Sequence, residues 1–118
     1  MALMVYGIPT CNSCKKALRW LNEHNEEYTW INTRDVPPTV ATITGWVNDI
    51  GNKPLRNTSG GSYRALGDEK KSWSDDQWIQ AFAEDAMLLK RPLFVRDGTA
   101  LFTGFRGSDQ EIEAKLKG

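Results

Sequence analysis

Two cysteines and one histidine are all that this 118-residue chain offers to a soft metal ion. Structural zinc takes four Cys or His ligands. His24 falls a helix length away from Cys11 and Cys14, so no metal site is expected. Net charge is also absent, with 15 Lys and Arg against 15 Asp and Glu. A general nucleic-acid or membrane-surface binder carries a basic excess that attracts phosphates. Direct DNA binding is therefore not expected, although a local basic patch is compatible with the balance. No apolar run approaches the roughly 18–20 residues that cross a bilayer. The leading MALMVYG lacks the basic region and the length of a secretory signal. The expectation is a cytoplasmic chain with no membrane association, in a compartment where structural disulfides are rare. No repeat, low-complexity segment or linker divides the sequence. Its length suits one domain, 1–118, whose core needs no disulfide staples.

The pattern along the chain alternates between strand and helix. LMVYG (3–7) is a short apolar run ended by Gly7 and Pro9, which reads as a buried strand. From Cys14 the positions Ala17, Leu18 and Leu21 continue a helical stripe to about residue 24. EYTWIN (27–32) reads as a second strand, parallel to the first across the intervening helix. Pro37 and Pro38 open a helix with Ile43, Val47 and Ile50 on its apolar side and Gly51 at its end. The polar, Gly-rich stretch 53–71 allows one short helix after Gly61. Ser74 and Gln77 form a capping box, with Trp73 and Trp78 as its hydrophobic staple, so a helix should run from Asp75 to about Glu84. A short turn at 85–89 follows. Residues 92–105 read as a hairpin about Asp97–Gly98. Ser108 and Glu111 cap a last helix carrying Ile112 and Leu116. Trp20, Trp30 and Trp46 fall inside regular elements and are assigned to the core or its edge. The order is β-α-β, a helical insertion at about 37–89, then β-β-α. That is an α/β, thioredoxin-like order with a mixed four-stranded sheet.

Chemistry concentrates at Cys11 and Cys14. Cys11 falls where strand gives way to helix, and there unpaired backbone N–H groups and the helix dipole favour a thiolate. Lys15 and Lys16 add positive charge one turn on. Cys14 shares the apolar stripe and should be the inner sulfur. The three-residue spacing lets the two sulfurs meet. Cys-x-x-Cys beside a β-α-β pattern in a cytosolic chain reads as a redox pair, one thiol attacking and one resolving. The bland alternative is one core cysteine and one inert one. The residues between them, Asn12 and Ser13, would tune the balance of thiolate and disulfide.

YGIPTCNSCKKALRWL (6–21), RNTSGGSYRAL (56–66), KRPLFVRDG (90–98) and GFRG (104–107), in this order, resemble the arsenate reductase-like family of thioredoxin-fold proteins. That family includes glutaredoxin-coupled arsenate reductases and the Spx and MgsR transcription regulators. The resemblance spans essentially the whole chain. It implies that Cys11 is the nucleophile and that Arg91 holds an oxyanion or a glutathione carboxylate, a task suited to a guanidinium fork. It also implies that Pro92 is the proline, commonly cis, beside the active-site loop. Arg56 and Arg106 lie near the places of two more anion-binding arginines, each offset by a gap. With Asn12, Ser13, Lys15 and Pro92 they make up the expected substrate-binding set. The family's arsenate reductases carry a serine three positions after the nucleophile, where this chain has Cys14. That difference disfavours glutathione-resolved arsenate reduction and favours a local disulfide.

The expected function is a thiol-disulfide oxidoreductase with Cys11 as nucleophile and Cys14 as resolving thiol. It would hold no bound cofactor and would be regenerated by glutathione, glutaredoxin or thioredoxin. NTSGGSYR draws the chain towards the reductase-like members. The alternative is an Spx- or MgsR-like redox-sensing regulator that binds RNA polymerase. A plain binding module with incidental cysteines is the third reading.

Overall fold

The computed structural model describes residues 2–118. Its strands are β1 (Leu3–Gly7), β2 (Thr29–Asn32), β3 (Leu93–Arg96) and β4 (Thr99–Thr103), and its helices are α1 (Asn12–Glu23), α2 (Val40–Ile50), α3 (Gly61–Arg64), α4 (Asp75–Glu84) and α5 (Asp109–Lys117). Short 3-10 turns occupy Lys53–Leu55, Asp68–Ser72 and Ala86–Leu88. The sheet order is β2-β1-β3-β4. β1 and β2 are parallel, whereas β3 runs antiparallel to both β1 and β4. This is the mixed, thioredoxin-like sheet that the element order implied.

Period-two alternation along the central strands splits the core into two layers. Leu3, Val5 and Phe94 face α1 and α5, where they pack with Ala17, Leu21, Ile112 and Leu116. Leu93 and Val95 face the opposite way, towards Ile43, Trp46, Val47, Trp78 and Phe82 of α2 and α4. Both capping boxes form, at Ser74 with Gln77 and at Ser108 with Glu111. Trp73 meets Trp78 edge-on with ring centroids 5.0 Å apart, as the staple requires. The hairpin turns through Asp97 (φ 51°) and Gly98 (φ 85°). Positive φ at both residues is what a two-residue type I′ turn demands.

Three boundaries differ from the sequence expectation, each for a local reason. α1 starts at Asn12, ahead of its first apolar residue, because Cys11 already has extended N-cap geometry (ψ 124°). β2 starts at Thr29, the partner of Met4, since β1 offers little strand before that register. α2 starts at Val40, where the Thr39 side chain accepts the Thr42 N–H, so the two prolines form the approach to the helix.

Candidate active site

The end of β1 and the start of α1 place the cysteines. Gly7 closes the strand, and the Cys11 N–H donates to the Ile8 carbonyl at 3.3 Å. Cys11 is the N-cap, with no side chain capping the helix and no acidic residue in its first turn. The open N–H groups of that turn are therefore left to whatever charge arises on Cys11. Cys11 is half-buried and Cys14 fully buried.

The two thiols are driven apart in acidity. Partial burial pushes the Cys11 thiol up, but hydrogen bonds from the Cys14 backbone and thiol and from the Ser13 backbone, with the Arg91 charge, outweigh it and hold it below its ordinary value. Burial dominates at Cys14, and its thiol is pushed up to about 12; its bond to Cys11 and the Cys11 charge add to this, while the Ile8 backbone and Arg91 offset it in part. Cys11 is thus the more acidic thiol of the two, and Cys14 keeps its proton at neutral pH.

Close packing at Gly7 holds the inner thiol. A Cβ there would stand 2.5 Å from Cys14 Sγ and 2.9 Å from the Trp30 ring. Real Cβ atoms do not come that close, so Gly7→Ala must displace the sulfur, the indole or the strand end. Overpacking of this kind costs about 1–3 kcal/mol. We expect a lower denaturant midpoint and slower closure of a Cys11–Cys14 bond after oxidation, both read on the same variant.

Cys11 opens onto a cleft of about 370 Å³ lined by residues from four chain segments. Ser13, Arg91 and Arg106, expected from the sequence, line it together with Cys11. So do Asn57, Ser59, Gly60, Lys90, Gly104 and Phe105, which were not expected as site residues. A short antiparallel bridge, Arg56 with Leu89, aligns two of these segments. Its rungs are Asn57 N–H to the Leu88 carbonyl and Lys90 N–H to the Leu55 carbonyl, each 2.8 Å. Gly60 folds tightly over Asn57, for a Cβ there would fall 2.7 Å from Asn57 Nδ2.

Arg91 is anchored through one nitrogen, its Nη1 donating to the carbonyls of Leu89 (3.0 Å) and Met87 (3.3 Å). Its Nε is buried without a partner among the described residues. The Arg91–Pro92 bond is cis, Pro92 is buried, and the Pro92 carbonyl accepts the Gly104 N–H at 2.8 Å. Pro92 itself does not line the cleft, although its neighbour Arg91 and its bonding partner Gly104 do. Asn12 and Lys15 sit exposed on the first turn of α1, outside the lining.

Arg56 points elsewhere. Its guanidinium lies 4.2 Å from the Trp78 ring centroid and bonds to Asn52 Oδ1. The backbone at Arg56 is extended (ψ 125°), so neighbouring side chains leave opposite faces. Arg56 goes to the helical layer and Asn57 to the cleft. The sequence carries two weak signals for the unexpected residues: Lys90 is adjacent to Arg91, and Gly104 opens GFRG.

Among the described residues no group of acidic, Cys and His side chains is arranged to hold a metal ion. No helix among them is long and apolar enough to cross a membrane.

A four-stranded mixed sheet with a cysteine pair heading the first helix, and a cis Arg91–Pro92 bond whose arginine shares the cleft with Cys11, defines the class: a thioredoxin-like α/β protein with paired thiols. The chain belongs to the ArsC family, whose model matches residues 6–113. The uncharacterised Bacillus subtilis protein YusI is 36% identical over 110 residues, covering 90% of this chain and 92% of its own. The crystal structure of a possible arsenate reductase from Streptococcus mutans UA159 superposes with a TM-score of 0.84 at 35% identity, over 94% of this chain and 97% of that one. The global transcriptional regulator Spx 2 of Lactococcus lactis is 28% identical over 97% of this chain and 86% of its own.

Proposed function

We propose that the protein is a thiol-disulfide oxidoreductase in which Cys11 attacks an oxidised substrate, a disulfide or an oxyanion, and Cys14 resolves the adduct. The observation that carries this reading is the contrast between two hydrogen-bonded thiols, one half-exposed and acidified at a helix start, the other buried and kept protonated. With a disulfide substrate, the Cys11 thiolate attacks one sulfur, the S–S bond breaks, and the leaving thiolate takes a proton from water. Cys11 then carries no charge, so one of the influences raising the Cys14 pKa is gone. Cys14 loses its proton, attacks the Cys11 sulfur and expels the second thiolate. The substrate gains two electrons and the cysteine pair becomes a disulfide. Glutathione, glutaredoxin or thioredoxin would restore the dithiol.

The test is alkylation against pH, followed by mass spectrometry after mild oxidation. Reaction at Cys11 should rise through a midpoint below the free-thiol value of about 8.5 and then level off. Cys14 should stay unmodified until far more alkaline pH, because its thiol is pushed up to about 12. Oxidised protein should lose two hydrogens reversibly. A Cys11 that titrates like a free thiol and forms no internal bond sinks the reading.

The likeness to Spx 2 favours a second reading, a redox-sensing regulator that binds RNA polymerase and does not turn over. Such a protein passes the alkylation test, shows no multiple turnover with disulfides or arsenate, and is retained by polymerase in one redox state only.

A further inference from the structure

Between Ser72 and Leu89 the sequence holds four carboxylates, Asp75, Asp76, Glu84 and Asp85, and no Lys or Arg, in a chain whose net charge is zero. Three of the four have local reasons. Asp75 and Asp76 suit the first turn of α4, where the helix dipole favours negative charge, and Asp85 Oδ1 accepts the Met87 N–H at 3.0 Å. Glu84 has none. It is the last residue of α4, where the dipole disfavours a carboxylate, and no basic residue shares that turn. Among the described residues it is exposed and forms no ion pair. It stands where two shallow hollows meet. One, of about 360 Å³, follows the outer side of α4 at helical spacing from Trp73 over Ala81 to Glu84. The other, of about 280 Å³, takes over at Glu84 and is floored by Ile8, Pro37 and Met87. The most exposed large apolar side chains among the described residues gather here: Met87 lines the second hollow, Val36 precedes Pro37, and Val40 opens α2. Arg34 is the one cation in either lining. The face also touches the thiol site. The Ile8 carbonyl accepts the Cys11 N–H at 3.3 Å, and the Met87 carbonyl accepts from Arg91 Nη1 and Asn57 Nδ2, each at 3.3 Å.

We propose that this face docks a basic amphipathic segment of a partner protein, with apolar side chains entering the two hollows and a lysine or arginine meeting Glu84. Charge complementarity selects that occupant. Anionic lipid and nucleic acid are repelled by the same carboxylates. A second copy seated face to face would set Glu84 and Asp85 against their own equivalents, because a two-fold contact pairs a patch with itself. A helix that carries apolar anchors one turn apart, with a base between them, meets both demands. The proposal goes beyond the oxidoreductase reading and calls on neither thiol, so it holds for an enzyme and for a regulator alike. A partner docked here lies against the backbone groups of Ile8 and Met87 that hold Cys11 and Arg91 in place.

The test titrates the full-length chain, labelled with nitrogen-15, with a peptide of leucine and lysine at helical spacing. Two control peptides replace every lysine by glutamate or every leucine by serine. The leucine–lysine peptide should bind saturably and move the amide signals of Trp73, Gln80, Glu84, Met87 and Ile8 while leaving 109–117 in place. Both controls should bind far more weakly. Glu84→Gln should weaken the leucine–lysine peptide roughly fivefold, the factor for one unit charge a few ångströms away in high dielectric. That loss should vanish in molar salt. Met87→Ser should weaken it roughly tenfold through lost apolar burial, and that loss should persist in salt. Glu113→Gln, an exposed carboxylate on α5, should change nothing. Because Glu84 opposes the helix dipole, Glu84→Gln should also raise Tm slightly, so its weaker binding cannot come from unfolding. The proposal is overturned if the serine control binds as well as the leucine–lysine peptide, if the shifts map elsewhere, or if neither substitution alters binding. It is also overturned if the chain forms dimers that Met87→Ser dissolves, or binds anionic vesicles through this face. Loss of thiol reactivity at Cys11 with peptide binding intact would sink the oxidoreductase reading and leave this one standing.

Discussion

Cys11→Ser should bring disulfide-reducing turnover to background, whereas Cys14→Ser should halt it one step later with the substrate fragment still attached. The two losses are equal in a turnover assay and opposite in a mass spectrum. Serine at position 11 removes the only thiol that is both acidified and open to the cleft. Its hydroxyl is not ionised near neutral pH and has no adjacent base to activate it. Serine at position 14 leaves the attacking sulfur in place, with the helix start and Arg91 still acting on it. The first exchange then goes forward and nothing close by can displace the product. Intact mass should show one substrate-derived thiol per chain on the Cys14→Ser protein, removable by an added reductant, and none on Cys11→Ser. The assignment of roles fails if Cys14→Ser turns over at the wild-type rate without added thiol, or if Cys11→Ser accumulates the adduct.

Trp78→Ala should be the most costly single truncation in the helical layer. Trp78 is fully buried. Its ring meets Trp73 edge-on, lies beside Phe82, stacks with Tyr63 at an interplanar angle of 11° and carries the Arg56 guanidinium 4.2 Å from its centroid. Large aromatic truncations cost about 3–5 kcal/mol. For a chain of this size that lowers Tm by roughly 15 °C or more. The loss should reach the cleft, because Tyr63 and Arg56 flank the segment that carries Asn57, Ser59 and Gly60. In protein that remains folded, oxidised glutathione should bind less tightly while iodoacetamide still alkylates Cys11 at close to the wild-type rate. A Trp78→Ala protein with wild-type stability would mean that the layer is held together chiefly by α2 and Phe82.

Features encoded within a few residues were legible in the sequence. The capping boxes at Ser74 and Ser108, the Trp73–Trp78 staple and the Asp97–Gly98 turn each need only local spacing. The position of Cys11 at a helix start and the burial of Cys14 follow from one strand–helix junction and one apolar stripe. What escaped was convergence over distance. Asn57 and Lys90 come together only through the bridge between Arg56 and Leu89. Gly104 reaches Lys90 only because the hairpin returns under Pro92. Polar residues at loop positions carry no periodicity that would reveal these meetings. Arg56 shows the converse difficulty: an arginine at nearly the right place in the chain, but on the alternate face of an extended segment, serves packing rather than the cleft.

The segmented construction of the cleft also bears on how such a protein diverges. The reacting sulfurs are encoded at the amino-terminal end of the chain, the cations at 90, 91 and 106 near the other end, and the neutral wall at 57–60 in the stretch between β2 and β3. Each is specified by a separate stretch of gene. A lineage can rewrite the middle stretch and change what reaches the thiol while inheriting the thiol chemistry unaltered. Relatives that share the cysteine junction but differ in residues 57–60, 90 and 104 should therefore share a reaction and differ in clientele.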